Sequence, residues 1–191
     1  MAPALLSRAD MSITTYIKSD LYRYAGNTTA KSFIKNFIRN RSFRYSLWFR
    51  LCSSDNIFVR LFARVARDRL SRKSGIQILP GTKIGYGLYI GHQMNIVVHP
   101  YTVIGNNCNL SQFTTIGSGN NTPAKIGNNV YIGPGCCIVE DVEIGDFAII
   151  GAGSVVVKDV DAYTTVAGNP AKPISTQSTN RFIKRSWPPE K

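Results

Sequence analysis

From Ile78 onward the chain can be measured with a ruler of six residues. Ile78, Ile84 and Ile90 fall on its first stretch, Val98, Ile104, Leu110 and Ile116 on the second, and Ile126, Ile132, Ile138, Ile144, Ile150 and Val156 on the third. Every position is Ile, Leu or Val, and eight are followed directly by Gly, among them Gly85, Gly91, Gly117 and Gly151. A second column, two residues before the next aliphatic, runs through Thr82, Leu88, Thr102, Cys108, Thr114, Ala124, Val130, Cys136, Val142, Ala148 and Ser154, nearly all small or apolar. Two inward columns per six residues describe a chain of short strands and sharp corners, with Gly where a corner needs unusual dihedrals. Stacked coils that bury their interiors against one another meet that description. A sandwich of short strands would alternate at irregular spacing instead. A mainly β fold, a parallel β-helix over residues 76–171, is therefore predicted.

Before the ruler begins, the apolar spacing is helical. Ile57, Phe58, Leu61, Phe62 and Val65 recur as on an amphipathic helix, with Asp55 as candidate cap and Gly75 as candidate stop. Arg60, Arg64 and Arg67 line the other side. Phe33, Phe37 and Ile38 suggest another helix, and Tyr45, Leu47, Trp48, Phe49 and Leu51 a third. The charge divides along the same boundary. Residues 1–75 hold 15 basic and four acidic side chains, 76–171 three and six, and 172–191 five and one, within a net charge of +12. Three parts are expected: a basic α-helical module over 1–75, the β-helix over 76–171, and a basic tail over 172–191. Such asymmetry suggests that the basic end faces something anionic, and a basic amphipathic helix suits an anionic membrane surface.

MAPALLSRAD lacks a long apolar core, so no secretion signal is read, and no run of eighteen apolar residues spans a membrane. A cytoplasmic protein is expected, with peripheral membrane association open. The four cysteines, Cys52, Cys108, Cys136 and Cys137, show no CxxC spacing, which argues against a metal knuckle or redox pair. Cys108 and Cys136 fall on core positions.

The ruler breaks twice, and departures from a regular scaffold are where function is grafted. Two extra residues lie between Ile90 and Val98, just after His92, and four between Ile116 and Ile126, in the loop Ser118–Pro123. His92 stands two residues past an inward aliphatic, after Gly91, and so should leave the core and face a groove. A histidine there suits a general base near neutral pH. His99, the only other histidine, is read as a structural or rim neighbour at the same corner.

The tandem [Ile/Val/Leu]-Gly-x-x-x-x pattern resembles the hexapeptide-repeat acyltransferases. The resemblance implies a left-handed β-helix, three hexapeptides to a coil and hence roughly four coils, assembled as a homotrimer, with pairing of trimers left open. The segments YIGHQMNIVVHPYTVIGNNCNLSQFTTIG and AKIGNNVYIGPGCCIVEDVEIGDFAIIGAGSVV, with VAGNPAKPI, SDLYRY and FRYSLWFRL, are similar to the serine acetyltransferase branch. The likeness implies direct transfer from acetyl-CoA with His92 as catalytic base and no metal. It places Asp20, Gln77 and Gln112 on the acceptor side, and Gly117, Ser118, Pro134, Ala152 and Lys172 along the CoA, with Lys172 a point charge for its phosphates or simply a solubilising tail residue.

The departures from that branch redirect the acceptor. Its acidic residue before the base is Gly91 here, another fifteen residues upstream is Gln77, and its loop histidine is Thr122. Free serine is then disfavoured, and GLYIGH with VVHPYTVIG resembles the polysaccharide O-acetyltransferases, which act on sugar hydroxyls of capsule, O-antigen or exopolysaccharide. That glycan acceptor is the expected one, with serine O-acetylation of cysteine biosynthesis or a small-molecule acetyltransferase as alternatives. A zinc hydratase of the same fold needs three histidines, and the chain has two. A nucleic-acid-binding reading of the basic module is weaker, because its aromatics sit at helical spacing, so no nucleic acid is expected.

Overall fold

The computed structural model describes residues 12–120, 122–177 and 181–188. The segment on which no secretion signal is read, apart from its neighbour Ser12, and Asn121 of the loop lie outside the described residues. Among those described, four helices come first: α1 (Ile13–Ala25), α2 (Ala30–Arg39), α3 (Arg41–Leu51) and α4 (Ile57–Ser74). Each begins where a short polar side chain takes up an orphan backbone N–H. Ser12 accepts from Thr15, Thr29 from Ser32, Asn40 from Phe43, and Asn56 from Phe58 and Val59. The cap of α4 is therefore Asn56, one residue beyond the expected Asp55, because its amide oxygen reaches both of those donors. Gly75 stops the helix in the left-handed conformation at φ 70°, as the sequence predicts.

The rest of the described chain is a solenoid of short strands on three faces. The first face stacks β1 (Gln77–Ile78), β4 (Val97–Val98), β7 (Thr115–Gly117), β10 (Cys137–Val139) and β13 (Val155–Val156). The second stacks β2 (Lys83–Ile84), β5 (Val103–Ile104), β8 (Lys125–Ile126) and β11 (Glu143–Ile144), continued by a bridge from Ile144 to Val160. The third stacks β3 (Tyr89–Ile90), β6 (Asn109–Leu110), β9 (Tyr131–Ile132), β12 (Ile149–Ile150) and β14 (Thr165–Gly168). All of these pairings are parallel. The predicted parallel β-helix behind a helical module is the fold.

Both columns of the ruler point inward. The thirteen aliphatics are at most 7% exposed and the second column at most 5%. Each coil thus buries about six side chains against its neighbours, and hydrophobic burial rather than turn propensity holds the stack together. The glycine after each aliphatic has a steric reason where coils touch. A Cβ on Gly105 would lie 2.5 Å from the Gly127 carbonyl oxygen.

The two ends of a solenoid would expose core and unpaired strand edge. At the first end Tyr45 and Phe49 of α3 join the core with Ile76 and Ile78, and the Tyr45 hydroxyl donates to the Ile78 carbonyl at 3.3 Å. At the other, β15 (Ala171–Ser175) doubles back antiparallel on β14. Residues 181–188 return to the third face, where Phe182 stacks on Tyr131 at 4.2 Å and Trp187 exchanges two hydrogen bonds with Asn107. No helix among the described residues is long and apolar enough to cross a membrane.

Candidate active site

The first break in the ruler is a widened corner. Between β6 and β7 the corner takes four residues, 111–114, whereas between β3 and β4 it takes six, 91–96. Each coil has one left-handed residue at this corner, Asn95 (φ 45°), Phe113 (φ 60°), Gly135 (φ 70°) and Gly153 (φ 70°), and the widened corner adds a second at His92 (φ 50°). Left-handed non-glycine residues recur at the solenoid's other corners, among them Asn107, Asn129 and Phe147, so what sets His92 apart is the insertion that carries it. His92 is exposed, as the sequence predicts.

Register aligns that corner with those below it. Leu110, Ile132 and Ile150 are successive partners, and Phe113, Gly135 and Gly153 donate in turn to the carbonyls of Met94, Gln112 and Pro134, so Met94, Gln112, Pro134 and Ala152 form one column along a single edge, with His92 in the widened corner at its head. At about 4.8 Å per coil, Ala152 lies about 14 Å along the axis from His92. The structure therefore brings together the predicted base, one acceptor candidate and two CoA candidates.

Helix α1 anchors this corner from behind. The Tyr24 hydroxyl accepts from the Ile90 N–H at 2.9 Å, two residues before His92, while its ring packs on Phe43 and Tyr89. Burial pushes the Tyr24 phenol far above its ordinary range, so it stays neutral. Opposite the corner, the end of α2 and the start of α3 form a wall. The cleft between them has a volume of about 620 Å³ and is lined by Lys35, Arg39 and Arg41 on one side and His92, Gln112 and Phe113 on the other. A second cavity of about 610 Å³ continues past Gln93 and Met94 to Arg44, Arg72 and Lys73.

The other predicted site residues lie elsewhere. Asp20 is fully buried under α3, where its two carboxylate oxygens meet Arg50 Nε at 2.9 Å and Nη2 at 3.1 Å, and one also accepts from Leu88 N–H at 2.8 Å. Burial raises this carboxyl above its ordinary value, an effect that Arg50 and the Leu88 N–H offset in part. Asp20 belongs to the joint between helices and solenoid and does not line the cleft. Gln77 sits on β1, paired with Val97, and does not line it either. Gly117 and Ser118 occupy the next corner round the coil; Ser118 Oγ bonds Asn120 and Glu140. Lys172 is exposed on β15.

His99 does not share the corner of His92. It follows β4 at the far edge of the same face, where its Nδ1 accepts from Tyr101 N–H at 3.3 Å. Cys108 and Cys136 are poor nucleophiles: burial pushes the Cys108 thiol up to about 12 and raises Cys136, and both occupy the inner column. Among the described residues no group of three or more His, Cys, Asp or Glu is placed to hold a metal. What the sequence does not signal is the Lys35, Arg39 and Arg41 wall. These residues read as the solvated side of helices, and only docking against the solenoid turns them towards His92.

Residues 123–158 match the family model described as "Bacterial transferase hexapeptide (six repeats)". Serine acetyltransferase 1 (chloroplastic) of Arabidopsis thaliana is 40% identical over 127 residues, covering 64% of this chain and 40% of that protein. Soybean serine acetyltransferase complexed with serine is 30% identical with a TM-score of 0.72, over 87% of this chain and 71% of that one. A serine acetyltransferase in complex with CoA is 27% identical with a TM-score of 0.70, over 87% and 72%. The chain spans about half or less of the length of the curated relatives it matches.

These relatives overturn the polysaccharide-acetylating expectation. GLYIGH and VVHPYTVIG cover little more than one coil with a histidine at its corner, a pattern too local to separate branches, whereas the likeness to serine acetyltransferases runs across helices and solenoid together. The chain belongs to the hexapeptide-repeat acyltransferase family, and its relatives within that family are serine acetyltransferases.

Proposed function

We propose that the protein is an acetyl-CoA-dependent O-acetyltransferase of the serine acetyltransferase type, with His92 as general base. The observation that carries this reading is the exposed His92, in the widened corner that heads the column of Gln112, Pro134 and Ala152 and at the mouth of a cleft large enough for an acceptor. Relatives in complex with CoA and with serine support the two substrates. The imidazole takes the proton of the acceptor hydroxyl, whose oxygen attacks the thioester carbonyl. The C–S bond then breaks, and the imidazolium returns its proton to the leaving CoA thiolate. Backbone N–H groups steady the oxyanion between these steps. Purified protein given acetyl-CoA and L-serine should release CoA thiol with matching formation of O-acetylserine by mass spectrometry. Thiol release no faster than acetyl-CoA hydrolysis without acceptor, across all hydroxyl acceptors tried, would sink the reading.

A homotrimer suits the scatter of CoA candidates over two edges. Pro134 and Ala152 lie on the His92 edge and Gly117 and Ser118 on the next, so one prism presents them to different sides. Packing prism against prism sets one chain's edge beside its neighbour's. The exposed Phe58 and Leu61 of α4, beside Arg60 and Arg64, also suit peripheral contact with an anionic bilayer at the cytoplasmic face. Light scattering should give three chains per particle, and vesicles containing phosphatidylserine should retain the protein at low but not high salt. A monomer mass, or equal retention by neutral vesicles, would remove the corresponding proposal.

A further inference from the structure

The charges lining the acceptor side of the cleft are positive. Lys35, Arg39 and Arg41 face the corner of His92, and Arg44, Arg72 and Lys73 continue the same sign beyond Gln93 and Met94. Among the described residues, no Asp or Glu lines either cavity. Arg72 is partly neutralised by Asp68 at 2.7 Å, and Arg44 donates to the Ile38 carbonyl at 3.1 Å. Lys35, Arg39 and Arg41 are exposed and form no ion pair among the described residues.

Like charges gathered on one wall repel one another, and an anion between them relieves that cost while the cleft concentrates the field on it. An ammonium group has no such partner here. Asp20, the one carboxylate expected on the acceptor side, is buried against Arg50, and Gln77 is an amide outside the cleft. The cleft is open on one side, and its volume of about 620 Å³ admits ligands larger than a single small amino acid.

We infer that the acceptor is a hydroxy compound bearing a carboxylate or a phosphate, held through that anion by Lys35, Arg39 and Arg41, and that no free ammonium is required. The inference rests on the acetyl-transfer reading and narrows its acceptor. The CoA phosphates are the rival anions for this wall. The cations, however, stand beside the first coil, whereas the column through Pro134 and Ala152 runs the other way along the axis, so the acceptor is the species they meet.

The test compares glycerate, glycerol 3-phosphate, glycerol, L-serine and L-serinamide as acceptors and, separately, as ligands by calorimetry without acetyl-CoA. Glycerate or glycerol 3-phosphate should exceed glycerol and serinamide in kcat/KM by at least about tenfold, the value of one charge-assisted hydrogen bond. Which of the two is better tells carboxylate from phosphate. The triple variant Lys35→Gln/Arg39→Gln/Arg41→Gln should erase the preference and raise acceptor KM while leaving KM for acetyl-CoA within about twofold, and added salt should weaken the wild-type preference. Serinamide used as well as glycerate, or a variant that loses acetyl-CoA instead of acceptor, would overturn the inference. If no acceptor turns over, calorimetry still decides. Anion binding lost in the triple variant supports the cationic wall and fails only the acetyl-transfer reading, whereas anion binding that is absent from the wild type, or unchanged in the variant, overturns the wall itself.

Discussion

Replacing His92 with Asn is expected to lower kcat for acetyl transfer by about 10²–10⁴-fold, the usual contribution of a positioned general base. Asparagine is the informative substitute because of the backbone. At φ 50° the residue sits in the left-handed region, which Asn tolerates better than most side chains, so the corner should keep its shape. The midpoint of thermal unfolding should therefore move little, and KM for acetyl-CoA should stay within about twofold because Pro134 and Ala152 are untouched. His92→Ala should lose as much rate and somewhat more stability, since Ala gains nothing from left-handed backbone. Retention of activity within tenfold in both variants would remove His92 from the chemistry. No described residue forms a hydrogen bond that orients this imidazole, so no second side chain is expected to reproduce the defect through it.

The variant also separates what was legible in the sequence from what was not. A β-helix buries two side chains per six residues whatever surrounds it, so a linear pattern reports its core directly, and all the ruled positions are buried. The same regularity makes register predictable. Once Leu110, Ile132 and Ile150 are known to stack, the column of Gln112, Pro134 and Ala152 follows by counting, and only the insertion after Ile90 shifts the first coil, where Met94 takes the place in line and His92 stands beside it.

Counting fails where the contact is between unlike elements. Lys35, Arg39 and Arg41 reach the cleft only because α2 and α3 dock on the first coil, and no periodicity in the helices encodes that docking. Helix α1 has Ile13, Ile17, Leu21 and Tyr24 at helical spacing between the Ser12 cap and the Gly26 stop, but the face it buries also carries Ser19, Asp20 and Arg23, whose partners lie on other elements. His99 was misplaced for a simpler reason. Six residues separate it from His92, and β4 fits between them, so the two histidines stand at opposite edges of one face. Acceptor class was the least legible property, because it depends on side chains from both the helical module and the solenoid.

Asp20 shows how a residue that matches a family position acquires its role from tertiary context, and it carries the second large prediction. Arg50 forks onto its carboxylate and also donates to the carbonyls of Ile84 at 2.8 Å and Gly85 at 2.6 Å, with its guanidinium over the Tyr16 ring. One buried pair thus ties α1 and α3 to the second corner of the first coil. Arg50→Leu leaves a fully buried carboxylate unpaired and two carbonyls without a donor, and should cost about 3–5 kcal/mol. For a chain of this size that corresponds to a fall in Tm of very roughly 6–20 °C. The loss should depend on pH in a defined direction. Burial already raises the Asp20 carboxyl, and removing Arg50 takes away the charge that holds it down, so the folded variant binds a proton that the unfolded chain releases. A folded-state value above the unfolded one, near 3.9, makes the stabilising contribution complete below that pH and lost as pH rises through the folded value. The difference in Tm between wild type and Arg50→Leu should accordingly be smaller at pH 5 than at pH 7.5. Asp20→Asn, which keeps an acceptor for the Leu88 N–H, should be milder and nearly independent of pH over that interval. Equal losses at both pH values for Arg50→Leu would mean that water reaches the carboxylate, and that the helical module is held to the solenoid by its apolar contacts instead.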